Sequence, residues 1–379
     1  FRCTCLARLS LCCPSALMDR KQNCARPRSI CMDRRTFLKS GGVAAAATAT
    51  GAVSVAPSLA APAIGSGQLK IRTALGPQFQ KGYLRDRADR LALSLRNLSS
   101  GRVEIQFVET GDGVVQRLDG KDLQAYFGSE AEHLGTHPSF GFFAGLPGDQ
   151  GLRPDDYKIW LSGGGGQLHW DAIAAEFGFK PFAVGHSGAA GLWSNTDLVL
   201  LEHLQGKRLF ASGLTALIGQ GLGLQISGTL TAADAIELPV GQTAALADGH
   251  IGQSKFWFAD GIARNGHVLS FGLSLELWEQ LSDSDKALIE IYTAEAYHQC
   301  VSEQMAHDRE VAPVLLAHRG IQRRQWQDEV RRAIEHLSRQ AVGQIAESSK
   351  ESRDLYENYM YFCQSVTGNG KINTSVGLV

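Results

Sequence analysis

Two glycine-rich stretches are the first places where residue type and spacing suggest chemistry. Leu161-Ser162-Gly163-Gly164-Gly165-Gly166-Gln167 offers backbone N–H groups of the kind that cradle a phosphate. A phosphate loop, however, requires Gly-x-x-x-x-Gly-Lys-Ser/Thr, and no lysine-serine pair follows here. The stretch from Gly219 to Gly228 breaks the Gly-x-Gly-x-x-Gly spacing and does not directly follow a strand pattern, so nucleotide binding is not expected. His-Glu-x-x-His is absent, and neither a Ser/His/Asp nor a Cys/His nucleophile signature stands out. Of the 8 cysteines, Cys3, Cys5, Cys12, Cys13, Cys24 and Cys31 have C-x-C and C-C spacings with no histidine among them, so no ligand set closes. Cys300 and Cys363 lie far apart and do not by themselves imply a disulfide. No cofactor and no enzymatic activity are expected. An exported, cofactor-loaded enzyme is the competing class, and it has no cofactor motif to support it.

The residues that do carry a message lie upstream of both glycine stretches. Arg34-Arg35 precede Thr36-Phe37-Leu38-Lys39, then a mildly apolar run of Ala, Gly, Thr and Val from Gly41 to Val55, then Ala61-Pro62-Ala63. Basic start, moderate hydrophobicity and an A-x-A cleavage site make a twin-arginine signal peptide over residues 32–63. The run is shorter than the roughly 20 residues needed to span a bilayer. Met32 is a natural start, so residues 1–31 read as upstream translation and disordered. The expected destination is the periplasm. The formal net charge of −1 gives no reason to expect a nucleic-acid partner. No later apolar run is long enough to cross a membrane.

The elements that must position any site alternate between strand and helix. Leu69, Ile71, Thr73 and Leu75 repeat every second residue, as in a strand. Leu84, Ala88, Leu91 and Leu95 recur at helical spacing, with a stop at Gly101. Arg102–Gly111 reads as a strand, Asp122–Ser129 as a short helix and Glu132–His137 as another strand. A turn-rich loop follows from Gly145. Beyond it come a helical turn, the four glycines, a helix to Gly178, and a strand from Lys180 to Gly188. A second alternating block covers Leu198–Trp257: strand Lys207–Ser212, helix Thr215–Gln225, strand Ala235–Val240, helix Gln242–Gly249 and strand His250–Phe258. The last third is strongly helical. This pattern predicts an α/β fold of two lobes, each a largely parallel sheet under helices, with long connecting and C-terminal helices. The expected division is 66–183 plus 267–300 for the first lobe and 184–266 plus 301–365 for the second lobe and C-terminal helices, with 366–379 a flexible tail. Ligands of such folds bind outside the carboxyl ends of strands and between lobes. An exported two-lobe protein of near-neutral charge fits a solute receptor that closes by a hinge.

Residues 131–215 resemble a known family. Ser139–Asp149, Tyr157–Gly188 and Leu201–Leu214 are similar to the solute-binding proteins of tripartite ATP-independent periplasmic (TRAP) transporters. The branch they most resemble binds 2-oxoacids and monocarboxylates. Leu238–Trp257 and Leu275–Glu290 continue the resemblance weakly, and it covers about residues 66–365. It implies a clamshell of two α/β lobes that captures a small organic acid and hands it to the TRAP membrane subunits, with no chemistry done on the ligand. A receptor paralogue acting as an interaction or sensor module is the alternative.

What the resemblance implies for individual residues is mixed. Family members usually read Gly-Leu-Lys-apolar-Arg-apolar-Pro-Gly, and the arginine holds the ligand carboxylate bidentately. Here Gly206–Gly213 places Phe210 at that position, with Arg208 two residues earlier and in reach only by a shift of about 7 Å along the strand. An Asn-Thr or similar pair is replaced by His186-Ser187, which could still donate to a ligand. Around Thr136-His137-Pro138-Ser139 the family's aromatic segment is shortened, leaving His137 as a further candidate. Where the branch can hold a cation through an acidic residue, this chain reads Gln253-Ser254-Lys255-Phe256-Trp257. Lys255 there would repel a metal and could supply positive charge itself. Gln167, His137, His186 and Lys255 are the expected hydrogen-bonding groups, with Ser187, Phe210, Phe256 and Trp257 around them. Phe210 adds an apolar wall, so the expectation is weak pyruvate binding and a larger, partly apolar acid or neutral solute. Leu355, Tyr356, Tyr359, Met360 and Phe362-Cys363 form an apolar face on the last helix that needs a partner surface. Dimers exchanging C-terminal helices occur in the branch, so the resemblance admits a similar homodimer here without requiring it.

Overall fold

The protein was analysed as a computed structural model, which describes residues 68–76, 79–80, 82–109, 118, 122–239 and 254–373. The expected signal peptide, the upstream arm with its six cysteines and the expected helix Gln242–Gly249 lie outside these residues.

The described chain builds two sheets. In the first, the order is β2-β1-β3-β10-β4. It comprises β1 (Leu69–Leu75), β2 (Val103–Glu109), β3 (Ala125–Gly128), β4 (Phe179–His186) and β10 (Val268–Ser274). β1 runs parallel to both β2 and β3, while β10 is antiparallel to β3 and β4. The second sheet has the order β11-β9-β5-β8-β6-β7. Its strands are β5 (Ala190–Ser194), β6 (Arg208–Phe210), β7 (Gln225–Ile226), β8 (Ala235–Pro239), β9 (Phe256–Phe258) and β11 (Gln322–Arg324). Both sheets are mixed, where the alternating pattern suggests largely parallel ones. The antiparallel strands are the ones beside the crossings: β4 continues into β5, and β9 continues into β10, so each pair enters one sheet as it leaves the other.

Helix α1 (Gly82–Leu98) buries Leu84, Ala88, Leu91 and Leu95 against the first sheet, as its spacing predicts. The sequence reading does not mark β5, β10 and β11 as strands, and two further elements are of another type than the sequence suggests. Ala125–Gly128 is a strand, not part of a helix; it is buried along its whole length between β1 and β10, and a central strand shows no alternation to read. Glu130–His133 is a 3-10 turn, not a strand. Ser129 caps it by accepting the Ala131 N–H at 3.3 Å, and Ser129-Glu130-Ala131-Glu132 is a capping-box spacing.

A short helix α2 (Phe140–Ala144) and the pair α3 (Pro154–Gly163) and α4 (Gly166–Glu176) stack Phe143 between Trp160 and Trp170. The glycines between α3 and α4 serve packing. A Cβ on Gly166 would fall 2.7 Å from the Trp160 ring, and one on Gly164 would fall 2.9 Å from Phe362. In the second lobe, α5 (Leu201–Leu204) and α6 (Gly213–Gly221) flank β6. α7 (Leu275–Gln280) leads into α8 (Asp283–Arg319), a long helix that packs on β4 and α1 before delivering β11 to the second sheet.

The C-terminal helices do not belong to the second lobe alone. α9 (Asp328–Glu347) buries Val330 and Ile334 in the second-sheet core, and Val342 and Ile345 in the core around Trp160. α10 (Lys350–Asn373) seats on α3, α4 and α9. Leu355 and Tyr359 are fully buried there, with Tyr356, Met360, Phe362 and Cys363 packed beside them. The apolar face that called for a partner finds it in its own chain. The helix also runs on to Asn373, past the start of the tail expected at 366.

Candidate functional site

Between the two sheets lies a cavity of about 320 Å³. Its walls come from the carboxyl ends of strands in both sheets. Phe79 and Gln80 follow β1, Ser129, Ala131 and Glu132 follow β3, Phe210, Ala211 and Ser212 end β6, and Glu237, Leu238 and Pro239 end β8. This is where the topology of open α/β sheets leaves a crevice. The two crossings contribute as well, through Ser187 and Ala190 on one and His267 and Leu269 on the other. These crossings are clamped together. The Ser187 N–H donates to the His267 carbonyl at 2.8 Å, and the His267 N–H donates to Ser187 Oγ at 2.8 Å. Gly188 and Gly266 meet so closely that a Cβ on Gly266 would sit 1.8 Å from the Gly188 carbonyl oxygen. Both glycines also have positive φ, 84° and 74°, which other residues rarely adopt.

The described walls are mostly apolar, and their ionisable groups are acidic apart from His267. Among the described lining residues are two carboxylates, Glu132 and Glu237, and no lysine or arginine. Glu237 is 7% exposed. Its Oε1 accepts the N–H groups of Ile262 at 2.8 Å and Ala263 at 2.9 Å, which ties β8 to the second crossing. Its Oε2 is buried with no hydrogen-bond partner among the described residues. Desolvation pushes its pKa up to about 7, against the lowering effect of those two N–H bonds. His267 is held down to about 4 by desolvation. Opposite charge density comes from α6, whose N-terminus opens on the cavity at Ser212 and Thr215. Ser212 makes no side-chain cap there, so the first N–H groups of the helix present partial positive charge.

The residues singled out from sequence are distributed unevenly. Ser187 and Phe210 line the cavity. His186 is buried behind it, its Nδ1 accepting the Gly188 N–H at 3.2 Å, and burial depresses its pKa to about 3. His137 accepts the Ser139 N–H and packs against Phe140 and Phe177. Gln167 spends its amide on Asp171 and the Pro181 carbonyl, at 2.9 and 3.1 Å. Arg208 forms a two-point ion pair with Asp234, at 3.1 and 3.2 Å, on the outer surface. Lys255 is exposed, and its backbone bridges Ser194 and Gln322. Phe256 lies under Arg324, and Trp257 stacks on Trp193 at 5.4 Å. None of these last seven residues lines the cavity.

Glu237, Glu132, His267 and Thr215 were missed. Glu237 had a readable signal: it is a lone carboxylate in the otherwise apolar strand Ala235-Ile236-Glu237-Leu238-Pro239, and a charge in such a setting is rarely idle. Glu132 and His267 could not be found this way, because their place depends on a 3-10 turn and on a crossing between sheets.

Residues 31–60 match the twin-arginine translocation (TAT) pathway signal sequence, which assigns the protein to export by that route into the periplasm. No curated protein matches the chain by sequence. Solved structures do share its fold. A TRAP periplasmic solute-binding protein from Pseudoalteromonas atlantica T6c, with bound sodium and pyruvate, superposes with a TM-score of 0.71 at 17% identity, over 81% of this chain and 98% of that one. One from Colwellia psychrerythraea, with bound calcium and pyruvate, gives 0.72 at 16%, over 81% and 98%. A TRAP transporter solute-binding protein from Bordetella bronchiseptica RB50 gives 0.73 at 16%, over 82% and 96%. That protein is a mixed-occupancy dimer with calcium and picolinate in one site. The chain thus has the two-lobed α/β fold of periplasmic solute-binding proteins.

Proposed function

We propose that the protein is an extracytoplasmic solute receptor of the TRAP type, which captures a small, partly apolar organic solute between its lobes for import through TRAP membrane subunits. The observation that carries this reading is the cavity: it is enclosed by strand ends from both sheets and floored by the crossings on which the lobes would turn. A solute held there touches both lobes at once, so it stabilises the closed arrangement over the open one. The export signal and the fold support the same reading. The solutes named for the three relatives above, pyruvate and picolinate, are small organic acids, and an organic acid is the parent class here.

Recognition in this chain follows from the residues present. Phe210 replaces the carboxylate-holding arginine that the family resemblance implies. Arg208 is engaged by Asp234, and Lys255 projects from the surface. Ser129, Ser187, Ser212, Thr215 and Gln80 supply neutral hydrogen-bonding groups around an apolar body. A homodimer through α10 has less support than the sequence suggested, since its apolar face is occupied by α3, α4 and α9. Capture as proposed requires only one chain.

A thermal-shift screen of the signal-free protein against organic acids and neutral solutes tests the function. A true ligand at 100 times its dissociation constant adds about 2.7 kcal/mol, a shift of a few degrees for a chain of this size. Failure of every solute in a broad library to stabilise the protein would favour a receptor paralogue that works by protein contact instead.

A further inference from the structure

Resting on the receptor reading, the geometry points to a particular solute class: we propose that the cavity takes an apolar amino acid or close derivative, its ammonium received by Glu237 and its carboxylate by the N-terminus of α6.

The two poles are separate observations. Glu237 lines the cavity, is 7% exposed, and leaves Oε2 without a partner among the described residues. A buried carboxylate oxygen with no donor is costly, and a donor delivered by the ligand removes that cost. Its raised pKa has the same origin in burial, and among the described lining residues no lysine or arginine offsets it. An ammonium supplies that charge and forms a charge-assisted hydrogen bond. A carboxylate placed there would instead face Glu237, with Glu132 on the opposite wall.

The second pole is α6, a helix of 9 residues that begins at the cavity wall with Ser212 and Thr215 beside it. The positive end of a helix dipole favours an anion, and the Ser212 side chain does not cap this one. Between the poles the wall is apolar, with Phe79, Ala131, Ala190, Phe210 and Leu238 prominent. The cavity is therefore dipolar with an apolar belt, and it suits a zwitterion with an apolar side chain. Because Oε1 of Glu237 holds the Ile262 and Ala263 N–H groups at the second crossing, ligand bound at Oε2 would also steady the hinge.

The test uses shape-matched probes on the signal-free protein, by calorimetry at pH 7.5. L-Leucine, L-valine and L-phenylalanine are each compared with the amine lacking the carboxylate and the acid lacking the amino group; for leucine these are 3-methylbutylamine and 4-methylpentanoate. At least one amino acid should bind at least ~10-fold more tightly than its deaminated acid, the difference expected for losing a charge-assisted contact. Glu237→Gln should weaken binding of the amino acid and remove its preference over the acid. The ligand series stands even if this variant folds poorly. Acids binding as well as their amino counterparts, or a preference that survives Glu237→Gln, would overturn the inference and leave the receptor reading intact. So would binding confined to solutes without an ammonium. A protein that binds no solute of any class overturns both.

Discussion

Under the receptor reading, Phe210 gives the cavity part of its apolar wall. It stands at the end of β6 and faces the cavity, while Arg208, two residues earlier, turns to Asp234. Side chains two apart share a strand face, but here the strand is only three residues long and its two ends meet different surroundings. We therefore expect Phe210→Arg to confer pyruvate binding that the wild type shows weakly or not at all, as read by calorimetry. Arg208→Ala should leave solute binding unchanged. Equal pyruvate affinity in wild type and Phe210→Arg would mean that the residue at 210 does not set the polarity of the site. The substitution at 210 was legible because a strand of known pattern carried it. The histidines were less so: a histidine's type announces donors and acceptors, but not that His186 will spend Nδ1 on the turn beside it.

At the scale of elements, α10 shows how an apolar helix face is claimed. Tyr359 is 1% exposed; its hydroxyl donates to the Gln150 carbonyl at 2.8 Å and accepts the Leu152 N–H at 3.1 Å. Its ring meets Trp160 edge-on at 4.9 Å. Asn358 beside it accepts the Trp160 Nε1–H at 2.8 Å and donates to the Gly164 carbonyl at 2.9 Å. Tyr359→Ala should thus cost about 3–5 kcal/mol, measured by urea unfolding. Tyr359→Phe should cost about 1 kcal/mol, since it leaves the ring in place but removes two hydrogen bonds to a partly buried carbonyl and N–H. A loss under about 1 kcal/mol for the alanine variant would show that α10 is not seated as described. Helix periodicity told where α1 and α10 present their apolar faces. It did not tell which surface each would meet, because that depends on contacts between residues roughly two hundred positions apart. The central strand β3 escaped for a related reason: burial on both faces erases the alternation that marks a strand.

For the whole molecule, buried titratable groups set a pH profile. Desolvation holds His133 and His267 near 4 and His186 near 3 in the folded protein, against an ordinary value of 6.5. As pH falls below 6.5 the unfolded chain takes up protons these residues refuse, so stability drops. Glu130 and Glu237 behave oppositely, with burial raising them to about 8 and about 7 from 4.5. The folded protein keeps their protons while the unfolded chain loses them, so their contribution is lost as pH rises from 4.5 to 8. Three histidines outweigh two glutamates below 6.5, and only the glutamates act above it. Ligand-free thermal stability should accordingly peak near pH 6.5 and decline on both sides. A melting temperature still climbing at pH 8 would contradict this balance.

The two-lobe plan and the placing of strand ends around a cleft followed from alternation in the sequence, whereas the buried Glu237 carboxylate in its wall did not, because its setting arises where β8 meets a crossing. The account's central claim is that solute is captured in that cleft. Ala211 lines it from the end of β6, partly buried at the edge of the second-sheet core, so Ala211→Trp would fill the space and its ligand-free stability is measured alongside. The decisive measurement is the affinity, by calorimetry, of whichever solute most stabilises the wild type, compared between wild type and Ala211→Trp at matched ligand-free stability. The account predicts that binding is lost or weakened at least ~100-fold, about 2.7 kcal/mol, in the filled variant. An unchanged dissociation constant would contradict it, and would place the receptor's binding surface elsewhere on the molecule.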